Sequence, residues 1–396
     1  MTPNTSIYLH IPFCKHRCAY CDFNTYAGQE DSIPAYVNAL IKEIEFVALR
    51  AGQNGSEVQA HTVFFGGGTP SLLSGPQFVS VMDALRAAFT LTADAEISIE
   101  ANPGTVSPEK LAAIRMTGIN RISFGVQSAN MEELHMLERE HSFFDVIEAV
   151  STARKAGFDN LNLDLIYGLP EQTLQTWKTS LQRILDLHPE HISAYALTLE
   201  HGTPFGRWSS KGLLPLPDPD VAAEMYEYAE EFLAENGYGQ YEISNWSKPG
   251  RECKHNIQYW RSLPYLAFGA GAHGYMSGYR YSNVLRIKTY IERLTNPTSV
   301  LEYPLSPAAV NQHKQSPQDD RSEYMMTNLR LTNAGVGESD FRSRFGNRLS
   351  DVYPQEIAEL IRMGLLEKTT SASTEAIRLT KRGRLLGNQV FIRFIR

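Results

Sequence analysis

The 396 residues, 42% apolar and 20% charged, suit a folded chain with a large core and a smaller second domain, and exclude a disordered one. A formal charge of −7 argues against a broad nucleic-acid surface, which needs a basic excess. No basic segment followed by an apolar run opens the chain, and no apolar stretch is long enough to span a bilayer. Neither a signal peptide nor a transmembrane helix is therefore expected.

The first half of the chain reads as alternating strands and helices. Strand candidates are Ser6–His10, Thr62–Gly66, Glu96–Ala101, Arg121–Val126, Asn160–Ile166 and His191–Leu199, each apolar enough to be expected buried on both faces. Between them, Ile33, Tyr36, Val37, Leu40, Ile41, Ile44 and Val47 form one stripe at helical spacing. Ser74 with Gln77, and Ser142 with Asp145, have the pattern of capping boxes. Ser107 before Pro108 reads as an N-cap with proline at the first helical position. Six βα units in a row argue for an α/β fold built as a parallel barrel or partial barrel, with a doubly wound open sheet as the alternative.

After about Trp208 the pattern changes. Pro215, Pro217 and Pro219 mark a break, and Val221–Asn236 reads as a helix ended by Gly237. Pro304–Asp320 is rich in Pro, Ser and Gln without periodicity, as in a linker or exposed loop. Helical runs follow at Asp340–Phe345 and Tyr353–Met363, then a hairpin of Leu366–Lys368 with Ile377–Leu379, then a final helix. That order suggests a small winged-helix-like α+β domain. The expected division is a barrel over 1–235, a connecting region over 236–310 and the winged-helix-like domain over 311–396.

Cys14-Lys-His-Arg-Cys18-Ala-Tyr-Cys21 follows the first strand. Three thiolates on one short loop can hold three corners of a [4Fe–4S] cubane and leave the fourth iron open to a ligand. The alternative is a structural zinc site completed by Cys253 or a histidine, although no second pair of ligands at clip spacing is present. Clustered thiols without an export signal point to metal in a reducing compartment, with the cytoplasm as the default.

The cysteine spacing resembles that of radical S-adenosylmethionine (SAM) proteins. The resemblance implies a partial (β/α)6 barrel whose open iron binds the amino and carboxylate groups of SAM, and whose reduction splits SAM to methionine and a 5′-deoxyadenosyl radical. Gly66-Gly67-Gly68-Thr69-Pro70 follows the second strand; it lacks the lysine of a phosphate loop, and on its own would read as a tight βα turn. It is similar to the family's Gly-Gly-x-Thr-Pro motif for the SAM methionine moiety. Glu100, Gln127 and Asp164 fall at the ends of successive strands, the rim where parallel barrels bind ligands. The resemblance implies SAM contacts from Tyr8, Tyr20, Gly67, Gly68, Thr69, Glu100, Gln127, Arg139 and Asp164. A G-x-G-x-x-G at Gly269, Gly271 and Gly274 fails as a dinucleotide motif, since no helix opens there and no strand-end acid follows.

Over nearly its whole length the chain resembles the oxygen-independent coproporphyrinogen oxidases and their relatives. The true oxidases carry a further cysteine where Phe23 stands, which counts against decarboxylation of coproporphyrinogen. Cys253-Lys-His255-Asn256-Ile-Gln-Tyr259-Trp260 offers an imidazole and neighbouring aromatic faces, a combination able to ligate and pack a porphyrin, though such a histidine is more often simply packed. The element resembles the His-Asn-x-x-Tyr-Trp motif of the HemW heme chaperones, which implies heme contacts from His255, Asn256, Tyr259 and Trp260. The expected function is therefore heme binding and transfer to acceptor apo-proteins, by a protein that carries a [4Fe–4S] cluster with exchangeable SAM. An oxygen-independent coproporphyrinogen dehydrogenase is the alternative, so whether the chain is itself an enzyme stays open. A winged-helix regulator is disfavoured by the acidic balance. Heme and heme-accepting apo-proteins are the expected partners and nucleic acid is not, while peripheral membrane contact and self-association are left open.

Overall fold

The computed structural model describes residues 5–297, 301–371 and 374–395. Six parallel strands, Thr5–Ile11, Gln59–Gly67, Thr90–Ala101, Arg121–Gln127, Leu161–Tyr167 and His191–Ala196, lie side by side in chain order. Helices α1 (Ile33–Gln53), α2 (Gly75–Ala88), α3 (Pro108–Met116), α4 (Met131–Met136), α5 (Phe143–Lys155) and α6 (Leu174–Leu185) occupy the crossovers. Each crossover joins sequence neighbours, which makes the partial-barrel arrangement and rules out the doubly wound order.

The helix starts follow the local chemistry of the sequence. Both capping boxes form, Ser74 with Gln77 and Ser142 with Asp145, and Ser107 Oγ accepts from Lys110 N at 3.2 Å. The α1 stripe is buried at Ile33, Tyr36, Val37, Leu40, Ile44 and Val47, whereas Ile41 is only partly covered.

The strands differ from expectation on one face. Ile97, Ile99, Ile122, Phe124, Leu161 and Leu163 are buried, while alternate positions carry Ser98, Arg121, Ser123, Asn162, His191 and Ser193, buried as well. The inner face of the barrel is polar, so burial on both faces did not require apolar residues on both.

The sheet also extends past the barrel. Tyr265–Phe268 pairs parallel with the first strand, Ser6 opposite Tyr265 and Leu9 opposite Phe268. His273–Met276, Tyr279–Asn283 and Ala309–Lys314 follow as successive neighbours toward that edge. Part of the expected Pro304–Asp320 loop is thus a strand. Its end starts helix Pro317–Asn328 through a Ser316–Asp319 capping box that the Pro- and Gln-rich composition obscured.

The chain forms two compact units. One runs to Ala229 and takes in Pro264–His313; the other joins Glu230–Leu263 to Lys314–Arg396. The segment 236–310, expected to act as one connector, is divided between them, because Tyr265–Phe268 completes the sheet of the first unit. In the second unit Leu366–Ser371 pairs antiparallel with Thr374–Leu379, Lys368 opposite Ile377, as the hairpin reading required. That hairpin and helices Glu338–Phe345 and Pro354–Arg362 share a core with Phe341, Tyr353, Leu360 and Phe394.

Candidate functional site

The cysteine loop leaves the first barrel strand and is closed at its base. Phe13–Cys14 pairs with Tyr26–Ala27, and Tyr26 N donates to Pro12 O at 2.7 Å. Within it, Cys21 N donates to Cys18 O at 3.1 Å, a tight turn that brings these two cysteines together. The glycine loop is laid directly against this base: Gly68 N donates to Ile11 O at 2.9 Å and Thr69 N to Phe13 O at 2.7 Å. A Cβ on Gly68 would stand 2.6 Å from Phe13 O and 2.9 Å from Cys14 Sγ, so only glycine allows this approach.

Thr69 Oγ1 lies 3.6 Å from Cys14 Sγ, and Arg139 Nη1 lies 3.5 Å from Cys18 Sγ. Arg139 Nη2 also donates to Gly125 O at 2.7 Å, while its buried Nε has no acceptor among the described residues. Arg139 is therefore aimed at the cysteine loop. Burial pushes the Cys14 and Cys21 thiols up, and each also feels the charge of the neighbouring cysteines. Among the described residues, no three His, Cys, Asp or Glu side chains converge on a point for a single ion. Three thiols carried on one loop are the donor set that a cubane cluster takes, and metal binding would remove their protons.

The expected SAM residues ring the adjacent end of the barrel. Tyr8 and Asp164 are each the one residue not fully buried in their strands, and Glu100, Gln127, Gly67, Gly68, Thr69, Tyr20 and Arg139 are partly exposed too. Glu100 accepts from Gly67 N at 3.0 Å, tying the third strand to the glycine loop. Burial, and secondarily the nearby Asp164 carboxylate, push Glu100 up to about 7. Gln127 has φ 69° beside a register shift against the fifth strand, a bulge that turns its side chain out of the ladder. Tyr20 packs on Phe205 with ring centres 6.5 Å apart, and its phenol faces Arg139 and Cys18.

Sequence reasoning missed the support beneath this site. Tyr8 Oη donates to His10 Nδ1 at 3.0 Å, because His10 Nε2–H is committed to Asn24 O at 2.9 Å. Asn24 Nδ2 in turn donates to Ala270 O and Leu285 O. The glycines read as a failed dinucleotide motif serve here. Gly269 has φ 104° and sits so close that a Cβ would be 2.5 Å from His10 O, while one on Gly271 would be 2.3 Å from Asn24 Nδ2. Glu43, buried mid-helix on α1, accepts from Gly269 N, Asn283, Tyr290 and Ser306 and locks this turn. A lone acid within an apolar stripe was its signal.

The expected heme residues lie in the second unit on helix Lys254–Trp260, with Cys253 buried at its N-cap. His255 is 1% exposed, and its Nε2 is paired with Tyr259 Oη at 2.8 Å. Asn256 and Trp260 are partly exposed, and the Arg330 guanidinium lies over the Trp260 ring, 4.3 Å from its centre. The imidazole nitrogen and one aromatic face expected to meet a porphyrin are thus occupied in this conformation. None of the four cysteines forms a disulfide.

Comparison with known proteins adds to this geometry. Residues 8–184 match the radical SAM superfamily and residues 315–386 the HemN C-terminal domain. The heme chaperone HemW of Bacillus subtilis is 39% identical over 98% of this chain and 99% of its own length. That of Lactococcus lactis is 37% identical over 99% and 97%. The chain belongs to the HemW family. Its fold is that of coproporphyrinogen III oxidase (HemN) from Escherichia coli, with a TM-score of 0.82 and 25% identity over 99% of this chain and 90% of that one. Phe23, two residues beyond Cys21, is 64% exposed.

Proposed function

We propose that this HemW-family chain binds heme and passes it to acceptor apo-proteins, and that Cys14, Cys18 and Cys21 hold a [4Fe–4S] cluster to which SAM binds exchangeably. The observation that carries the cofactor reading is the ring of partly exposed residues in otherwise buried strands, opening beside the three thiols. When bound, the cluster supplies one-electron chemistry at SAM. The residues of this chain do the rest. Gly67, Gly68 and Thr69 bring backbone close to the ligand, and Glu100 and Asp164 present acceptors to its cationic and hydroxyl groups. Arg139 offsets the negative charge of the thiolates, and Tyr8 and Tyr20 wall the site. Gln127, turned out by the bulge, adds a further polar contact.

Heme is the cargo, with His255 as the proposed axial ligand and Asn256, Tyr259 and Trp260 around it. Taking heme through Nε2 requires Tyr259 to release the imidazole, and uncovering the Trp260 face requires Arg330 to move. Among the described residues no helix is long and apolar enough to cross a membrane; we place the protein in the cytoplasm on the chemistry of its clustered thiols.

Spectroscopic titration of the reconstituted protein with heme and with coproporphyrinogen decides the matter. Heme should bind with a Soret spectrum that changes in His255→Ala, and coproporphyrinogen with SAM and reductant should yield no protoporphyrinogen. Robust turnover would restore the dehydrogenase reading.

A further inference from the structure

Behind Asp164 the barrel interior holds a hydrogen-bonded chain that the proposed function does not use. Asn162, two residues earlier on the same face of the fifth strand, is 2% exposed. Its Nδ2 donates to Asp164 Oδ1 at 2.7 Å and to Ser123 Oγ at 2.7 Å. Ser123 Oγ donates to Asp164 Oδ2 at 2.8 Å, and Ser193 also bonds the carboxylate. The amide oxygen of Asn162 accepts from His191 Nδ1 at 2.6 Å, and the single Ser193 hydrogen serves either that oxygen, 3.2 Å away, or the carboxylate.

The directions of these bonds are fixed by what each group can do. With Asn162 Nδ2 given to Ser123 and Asp164, its oxygen faces His191, which must present Nδ1–H. Burial, with Arg121 nearby, holds His191 well below its ordinary value, and the ring stays neutral in that tautomer. Ser123 and Asn162 therefore both donate to Asp164 and neither requires a hydrogen from it.

We infer that Asn162, oriented by His191, is the positioning residue that keeps Asp164 an ionised acceptor at the barrel rim, its remaining lone pairs free for a hydroxyl or cationic group of the ligand. This rests on the SAM role proposed for Asp164. Burial favours the neutral acid and is the larger influence, while Ser123, Ser193, Asn162 and the Arg121 charge favour the anion. The other ionisable groups facing Asp164 are Glu100 from the third strand, Arg121 from the fourth and His191 from the sixth. Each charge-assisted donor removed shifts Asp164 toward the neutral acid.

The test uses cluster-loaded protein carrying isotope-labelled aspartate, with the Asp164 infrared band assigned by its loss in Asp164→Asn. At about pH 8, wild type should show a carboxylate and Asn162→Leu a carboxylic acid. His191→Asn, which keeps a donor at the Nδ1 position, should resemble wild type, and His191→Leu should resemble Asn162→Leu. SAM affinity in Asn162→Leu should fall roughly tenfold to a hundredfold near neutrality, the worth of one hydrogen bond to a charged group. The loss should shrink as pH rises, over and above the transition near 7 that Glu100 gives every variant. An Asp164 band still ionised in Asn162→Leu and His191→Leu, or a loss equal at every pH, would overturn the inference. A protonated Asp164 with unchanged SAM affinity would leave the chain as inferred and remove Asp164 from the SAM site.

Discussion

The two candidate sites of this chain are built in opposite ways. At the barrel rim the ligand-facing groups are held open: the glycine loop is fixed to the base of the cysteine loop, Glu100 to Gly67, Asp164 by three donors, and each keeps exposed surface. On helix Lys254–Trp260 the groups are closed on one another, His255 on Tyr259 and Arg330 over Trp260. A resident cofactor is served by a preformed site whose ordering cost is met on folding. Cargo that must be given up is served by a site with an alternative set of partners, since release is then not opposed by exposing buried polar groups.

The sharpest way to break that contrast is at the cysteines. Ala at Cys14, Cys18 or Cys21 should abolish the cluster, while Cys253→Ala should leave about four iron and four sulfide per reconstituted chain. Gly68→Ala should impair assembly as well, because its Cβ meets Phe13 O and Cys14 Sγ. Loss of the cluster in Cys253→Ala would undo the assignment of the preformed site.

Next in size is the support. Glu43→Ala strands the donors of Gly269, Asn283, Tyr290 and Ser306. It should cost about 3–5 kcal/mol in denaturant unfolding, as leaving several buried donors unsatisfied does. Glu43→Gln should cost less. A change below about 1 kcal/mol in Glu43→Ala would mean the turn is held without it.

A smaller effect lies in pH. A carboxylate raised to about 7 is mostly neutral one unit below that and mostly ionised one unit above. SAM is a cation, so it binds the ionised form better, releases the proton, and should gain up to about tenfold in affinity between pH 6 and pH 8. Sign and cause are checked together by calorimetry in buffers of different ionisation enthalpy: Glu100→Gln should flatten the profile and end the proton release.

What could be read from the sequence follows from how local the signals are. The six strands, the helix caps and the Leu366–Lys368 hairpin were legible because period, cap chemistry and turn residues act within a few positions. The polar inner face was not, because Arg121 and His191 look like strand-edge residues until the barrel closes around them. Tyr265–Phe268 escaped because four residues carry little periodicity and their partner strand lies at the other end of the chain. The cysteine and glycine motifs gave the rim, but Asn24, His10, Asn162 and Glu43 act through contacts distant in sequence. The His255 element was legible as a motif and not as a closed one, since the i,i+4 pairing with Tyr259 competes with the ligand role read into both residues.

That competition gives the smallest and most discriminating effect. Tyr259→Phe keeps the ring and its edge-on packing against the imidazole, centres 4.8 Å apart, and removes only the hydroxyl that holds Nε2. If the closed pair restrains heme uptake, the variant should bind heme more tightly. The gain is bounded by one neutral hydrogen bond, about 0.5–1.5 kcal/mol, or roughly two- to tenfold. Transfer to an apo-protein should slow by a similar factor, since the released imidazole no longer regains a partner. His255→Ala in the same background should erase the difference, which separates release of the ligand from a general loosening of the helix. Weaker heme binding in Tyr259→Phe would mean that the hydroxyl contacts heme or its ligand directly, and the second site would then be preformed like the first.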